Sequence, residues 1–182
     1  KNKYPIYARN CEIKEINYHI KSEFLKKYHL QGNDSSSIRL GLFHKDRLVS
    51  VMTFRKQLQK EKGYYELSRL CGNNSFYIIG GASKLLKYFE KNYKPIQIKT
   101  FADKRWSLGN VYDKLGFQHT HDSLPNYWYF NDNFQLYHRF NFRKSELPKK
   151  LEKFDPNLTE WENMVNNGWD RIWDCGNMVY YK

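Results

Sequence analysis

Cysteine is scarce in this chain: 182 residues hold only Cys11, Cys71 and Cys175. They are far apart, odd in number and never spaced C-x-x-C, which excludes a disulfide framework or a zinc knuckle as the organising device and fits a reducing compartment. No apolar run approaches the roughly 20 residues that span a bilayer, and the opening KNKYPIYARN has no hydrophobic signal region, so an intracellular, cytoplasmic protein is expected. Internal repeats and low-complexity segments are absent, as are a Walker loop, an EF-hand loop and a Ser-His-Asp signature. The first residue is Lys rather than Met, as expected of a trimmed chain or of a domain cut from a longer parent.

Acidic residues are also few. Lys+Arg number 31 against 19 Asp+Glu, a net charge of +12, and the pI is near 9.5. That balance favours a polyanionic partner, nucleic acid first. Aromatic residues reach 18%, with fifteen Tyr and five Trp. They suit either stacking on bases or a tightly packed core covered by the stems of lysines.

The length supports one main domain. IYARNCEIKEI at 6–16 reads as a strand and IKSEFLKKYH at 20–29 as a helix. The loop QGNDSSS precedes a hairpin, IRLGLF and RLVSVMTF, turning at His44-Lys45-Asp46. YYELSRLC at 64–71 is a strand with Tyr65, Leu67 and Leu70 on alternate registers. The pair Gly80-Gly81 opens an amphipathic helix to about Lys91 with Leu85, Leu86, Tyr88 and Phe89 as its stripe. IQIKTFA is a strand, RWSLGNVYDKL a helix stopped by Gly116, and FQHTH and NYWYF are strands around DSLPN. The expected fold is α+β, a mixed, mostly antiparallel sheet flanked by helices, spanning residues 1–130. Residues 131–182 are expected to form a basic C-terminal extension packed on it, ending in a helix and a strand.

Gly80 and Gly81 allow a turn that exposes the first amides of the helix, a place suited to a pyrophosphate, with Lys84 in the first turn. The same letters also describe a tight turn with no ligand. Together with the GLF…LVSVMTF hairpin and NVYDKLGF at 110–117, this order of elements resembles the GNAT superfamily of acyl-CoA-dependent N-acyltransferases over residues 6 to 130. The resemblance implies a cofactor site at Tyr77, Gly80, Gly81, Ala82, Ser83, Lys84 and Asn110, with acetyl-CoA or another acyl-CoA as cofactor. Tyr77 stands where the family has Arg or Gln. It further implies Tyr112 as the acid that protonates the departing thiolate and Glu66 as a candidate base. Asp103, at a strand's carboxyl end, is a third candidate. Tyr112 serves equally well as a core aromatic on an amphipathic helix, whereas for Glu66 the favoured role is an ion pair with Arg69 or with a surface lysine.

The stretches YARNCEI, YELSRLC, GGASKLLKYF, FADKRWSLGNVYDKLGF, FDPNLTEWENM and GWDRIWDCGN look like a GNAT-like module of phages and large viruses. That module occurs alone or behind a nuclease domain similar to very-short-patch-repair or homing endonucleases. It is more distantly similar to the phage DNA-modification protein Mom. The resemblance implies a phage-infected host cell and a nucleic-acid partner, either as acceptor of an acyl group or, in a non-catalytic DNA-recognition module attached to a nuclease, as ligand. Arg69, Lys104, Arg105 and Trp106 are the candidate contacts, with Arg139, Arg143, Lys144, Lys149 and Lys150 alternating with phenylalanines in the tail. Trp169, Arg171, Trp173 and Asp174 are expected to dock the C-terminus, with Asp174 holding Arg171. His119 and His121 share a strand face, a partial metal site at most, and no metal is expected.

Overall fold

Lys45 and Asp46 both adopt positive φ, 48° and 60°, the left-handed pair whose twist matches that of the two strands it joins. The computed structural model describes residues 4–57 and 62–182. Its elements are β1 Tyr4–Tyr7, β2 Glu12–Glu15, α1 Tyr18–Tyr28, β3 Ile38–His44, β4 Arg47–Lys56, β5 Tyr64–Gly72, β6 Phe76–Ile79, α2 Gly81–Tyr93, β7 Gln97–Asp103, α3 Asn110–Lys114, β8 Gln118–Asp122, β9 Tyr127–Phe130, β10 Tyr137–His138, α4 Glu160–Asn166, β11 Asp170–Trp173 and β12 Asn177–Tyr181. They fall into two units. One comprises the chain to Ala102 with Ser107–His121 and Met178–Lys182; the other comprises Asp103–Trp106 and Asp122–Asn177. Position 131, where the composition changes, lies inside the second unit.

A seven-stranded sheet in the order β2-β3-β4-β5-β7-β12-β8 organises the first unit. β2 through β5 are antiparallel neighbours, whereas β5 and β7 run parallel. The chain reaches β7 through α2, the crossover a parallel pair needs. Phe24 and Leu25 of α1 pack with Val51 and Cys71. Leu85, Leu86 and Phe89 of α2 pack with Met52, Phe54, Tyr65 and Leu67, and the Phe54 and Phe89 rings stack at 3.5 Å between centroids. α1 starts two residues before the expected position because the Asn17 side chain accepts the Ile20 amide and caps it.

Three local expectations are corrected. The strand read at 6–16 is broken by a short 3-10 turn at Ala8–Asn10. β1 pairs parallel with β6, and β2 pairs with β3. The Lys84 ammonium holds this break by donating to the Ala8 and Cys11 carbonyls at 2.9 and 2.5 Å. The helix read at 105–115 is reduced to α3. Ser107 Oγ accepts the Gly109 amide, and Gly109 sits at φ 78° against Tyr180, whose hydroxyl would be 1.8 Å from an added Cβ. Finally, β8 and β9 are not partners around DSLPN: β8 borders the seven-stranded sheet, while β9 is central in a separate three-stranded sheet, β10-β9-β11.

That small sheet belongs to the second unit, whose core is Tyr129, Phe142, Leu147, Leu151 and Met164 with Trp161 and Trp169 against it. α4 begins with a reciprocal capping box between Thr159 and Glu162. GWDRIWDCG builds the sheet, with Arg171 opposite Tyr129 and Trp173 opposite Tyr127. Asp174 does not hold Arg171; it accepts the Asn126 and Gly176 amides at 2.8 Å.

Candidate active site

β5 and β7 pair only from Tyr64↔Gln97 to Leu67↔Thr100. Beyond that rung they continue to Gly72 and Asp103 with no mutual pairing, so the sheet opens between two parallel strands. The cause lies in β5. Against β4 its register jumps from Phe54↔Leu67 to Thr53↔Arg69, which leaves Ser68 as an extra residue. Such a bulge increases local twist and turns the strand aside. It also explains why Leu70, three residues after Leu67, faces the same core. Thr100 Oγ1 donates to the Leu67 carbonyl at 3.0 Å and seals the last rung. Ser68 Oγ is buried and finds no partner among the described residues.

Tyr112, on α3, aims its hydroxyl at this opening, 3.5 Å from the Phe101 carbonyl. Its ring rests between Phe117 and Tyr180. Burial pushes its pKa above the ordinary 10.0, with the Thr100 hydroxyl and the Arg69 charge pulling partly the other way. The phenol therefore keeps its proton at neutral pH, the state an acid requires. Glu66 accepts from Arg55 of β4 at 2.6 Å, so its carboxylate is engaged by a guanidinium. Arg69 turns inward, donating to the Ser68 carbonyl at 2.8 Å, and burial lowers its pKa.

At the head of α2, Gly80 is left-handed at φ 75° and the Lys84 amide bonds its carbonyl. The amides of Gly81, Ala82 and Ser83 then have no acceptor within the helix, and the positive dipole end lies beside them. Gly81 is also required for packing, since an added Cβ would stand 2.6 Å from Ile78 Cγ2 and 3.2 Å from Leu42 Cδ2. An open cleft of about 390 Å³ adjoins this turn, lined by Tyr7, Arg9, Gly80, Ser83, Lys84 and Lys87. Tyr77 is 63% exposed on β6, and Asn110 is the exposed first residue of α3. Arg9, Lys87, Ser68 and Thr100 were not singled out from sequence. Only the three-residue step from Leu67 to Leu70 signalled the bulge.

Asp103 belongs to the second unit, where Arg105 grips its carboxylate through Nε and Nη2 at 3.0 and 2.6 Å. Lys104 pairs with Asp122 at 2.7 Å, and Trp106 is 65% exposed. The expectation of a basic extension is corrected by its charge: residues 131–182 hold eight Lys and Arg and eight Asp and Glu. The first unit carries 22 against 9, or +13, and the second 9 against 10, or −1, which together give the +12 of the chain. His119 rests on Tyr180 and His121 on Thr120; among the described residues no group of three metal-ligating side chains forms. No described helix is long and apolar enough to cross a membrane.

No family model and no curated protein matches the sequence. Solved structures do match. A GNAT family acetyltransferase from Elizabethkingia anophelis with acetyl-CoA bound aligns with TM-score 0.55 and 13% identity over 94% of this chain and 97% of that one. An aminoglycoside 6'-acetyltransferase type Ii gives TM-score 0.55 and 15% identity over 94% and 96%. An acetyltransferase from Bacillus subtilis in complex with CoA gives 0.51 and 16% over 94% and 96%. The fold is therefore GNAT-like, a mixed α+β sheet opened between two parallel strands.

Proposed function

We propose that this chain is an N-acyltransferase that draws an acyl group from a thioester of coenzyme A and passes it to an amine of a nucleic acid. The opening of β5 from β7 at the Ser68 bulge, with the Tyr112 hydroxyl directed into it, is the observation that carries this reading. The residues present fit the cofactor. The Gly81, Ala82 and Ser83 amides suit a pyrophosphate, Arg9 and Lys87 supply cations beside them, and the orphaned Ser68 Oγ lies where the strands part. When bound, the cofactor supplies an activated acyl group. Tyr112 holds a proton for the departing sulfur, and Glu66, on release from Arg55, receives one from the amine. Holding both substrates in one cleft supplies much of the rate. The nucleic-acid acceptor rests on the +12 charge, and the viral, nuclease-linked context on the sequence resemblance.

Calorimetric titration with acetyl-CoA and desulfo-CoA tests the cofactor. Ser83→Asp is the discriminating variant. Ser83 is exposed at the third helical position, where an aspartate favours the helix dipole yet repels phosphate. Saturable binding weakened at least tenfold by Ser83→Asp is the expected result. Absence of binding at millimolar cofactor refutes the thioester mechanism and leaves the DNA-recognition module. Tyr112→Phe should keep cofactor affinity while slowing acyl transfer to a single-stranded DNA or RNA acceptor, read as release of free thiol, by about 10²-fold or more. In the unsubstituted enzyme any alkaline limb due to Tyr112 lies above pH 10.0.

A further inference from the structure

The second unit is nearly neutral overall, yet it gathers guanidinium groups that no carboxylate holds. The Arg143 guanidinium lies over Phe140, 4.6 Å from the ring centroid, and Arg139 lies over Phe140 at 5.6 Å and Tyr127 at 5.1 Å. Arg171 covers Tyr127 at 5.2 Å, Trp161 at 4.1 Å and Trp173 at 5.4 Å. Because neighbouring arginines share a ring, the three form one continuous row. By contrast Arg55 and Arg105 are each fixed on a carboxylate at 2.6 Å. Among the described residues Arg139, Arg143 and Arg171 have no such ion pair and donate no side-chain hydrogen bond.

A ring face takes up no conventional N–H hydrogen bond, so a guanidinium held over one keeps its donors for a phosphate. The row is firmly supported. Tyr127 Oη donates to Glu160 at 3.0 Å, the Tyr127 and Trp173 rings meet at 4.9 Å, and β11 hydrogen-bonds to β9 beneath them. Phe140 and Trp173 remain 55% and 52% exposed, each with ring surface open to solvent. Alternating open rings and unpaired cations meet the two demands of an unpaired polynucleotide, a stack for each base and a donor for each phosphate. A duplex keeps its bases stacked on one another and uses only the cations.

We propose that this arginine–aromatic row binds single-stranded nucleic acid, with Arg139, Arg143 and Arg171 on phosphates and Phe140 and Trp173 on bases. The proposal rests on the nucleic-acid part of the functional reading and is independent of thioester chemistry. Fluorescence anisotropy of a short labelled single-stranded oligonucleotide with the full chain tests it. Arg171→Gln and Trp173→Ala should each weaken binding about tenfold. Arg139→Gln with Arg143→Gln should reduce the log–log salt slope by about 0.7 for each phosphate no longer neutralised. Circular dichroism melts confirm that the variants fold. Wild-type affinity in the folded variants overturns the proposal, as does equally tight binding of heparin or of duplex DNA at the same salt. Acetyl-CoA titration of the unsubstituted chain separates the two readings: no cofactor binding where the oligonucleotide binds refutes the thioester reading alone, and cofactor binding where no oligonucleotide binds refutes this one alone.

Discussion

Lys21→Met removes the positive half of the most deeply buried ion pair in the described structure. Lys21, on α1, is 0% exposed, and its ammonium meets Asp34 Oδ1 at 2.8 Å, with the Asp34 carboxylate side chain at 7% exposure. The same ammonium donates to Asn33 Oδ1 at 2.8 Å and to the Asp34 carbonyl at 2.5 Å. Thr53 and Ser36 hydroxyls complete the carboxylate's shell at 2.9 and 3.0 Å. Methionine fills a similar volume, so the cost arises chiefly from a buried charge left with two neutral donors, about 3–5 kcal/mol. For a chain of this size that lowers the melting temperature by roughly 6–20 °C.

The acid dependence supplies the sharper test. Burial raises the Asp34 pKa, but the bonds from Lys21, Thr53 and Ser36 outweigh it and hold the group below its ordinary 3.8. A depressed native pKa adds stability above 3.8 that is lost as pH falls through the native value. In the variant, burial dominates, the native pKa rises, and protonation removes the penalty. The stability deficit should therefore be largest at neutral pH and narrow as pH falls, first above 3.8 as the variant's carboxylate is protonated, then below 3.8 as the wild type loses its own contribution. Melts followed by circular dichroism across this range decide the matter. A neutral-pH deficit below about 1 kcal/mol, comparable to a surface pair, or one that fails to narrow in acid, refutes the reasoning.

Gly81→Ala should destabilise the first unit by about 1–3 kcal/mol through overpacking against Ile78 and Leu42, and adding Ile78→Ala should recover part of that loss in urea melts. Thr159→Ala should cost about 1 kcal/mol by opening the capping box of α4, read as faster hydrogen exchange at the Glu162 amide.

Much of the frame was legible from short-range pattern. The alternation in IRLGLF and RLVSVMTF, the Lys45-Asp46 turn and the stripe Leu85, Leu86, Phe89 specify a hairpin and a helix because each depends on residues a few positions apart. Gly80-Gly81 marked the head of α2 for the same reason. The double role of Gly81 was not visible, because Leu42 approaches it from a distant strand. Of the site residues, Tyr112 was accessible through the family resemblance, whereas Arg9 and Lys87 are brought to the cleft by β1 and by the turn of α2.

By itself the sequence determined the local elements, the α+β character and the excess of positive charge, all properties of neighbouring residues or of composition. Tertiary structure alone decided which strands pair, where the Ser68 bulge opens the sheet, that Glu66 faces Arg55, and that the charge excess lies in the first unit while the arginines held over rings lie in the second. Pairing and burial join groups far apart in the chain, and their free energies depend on distances that no local pattern encodes.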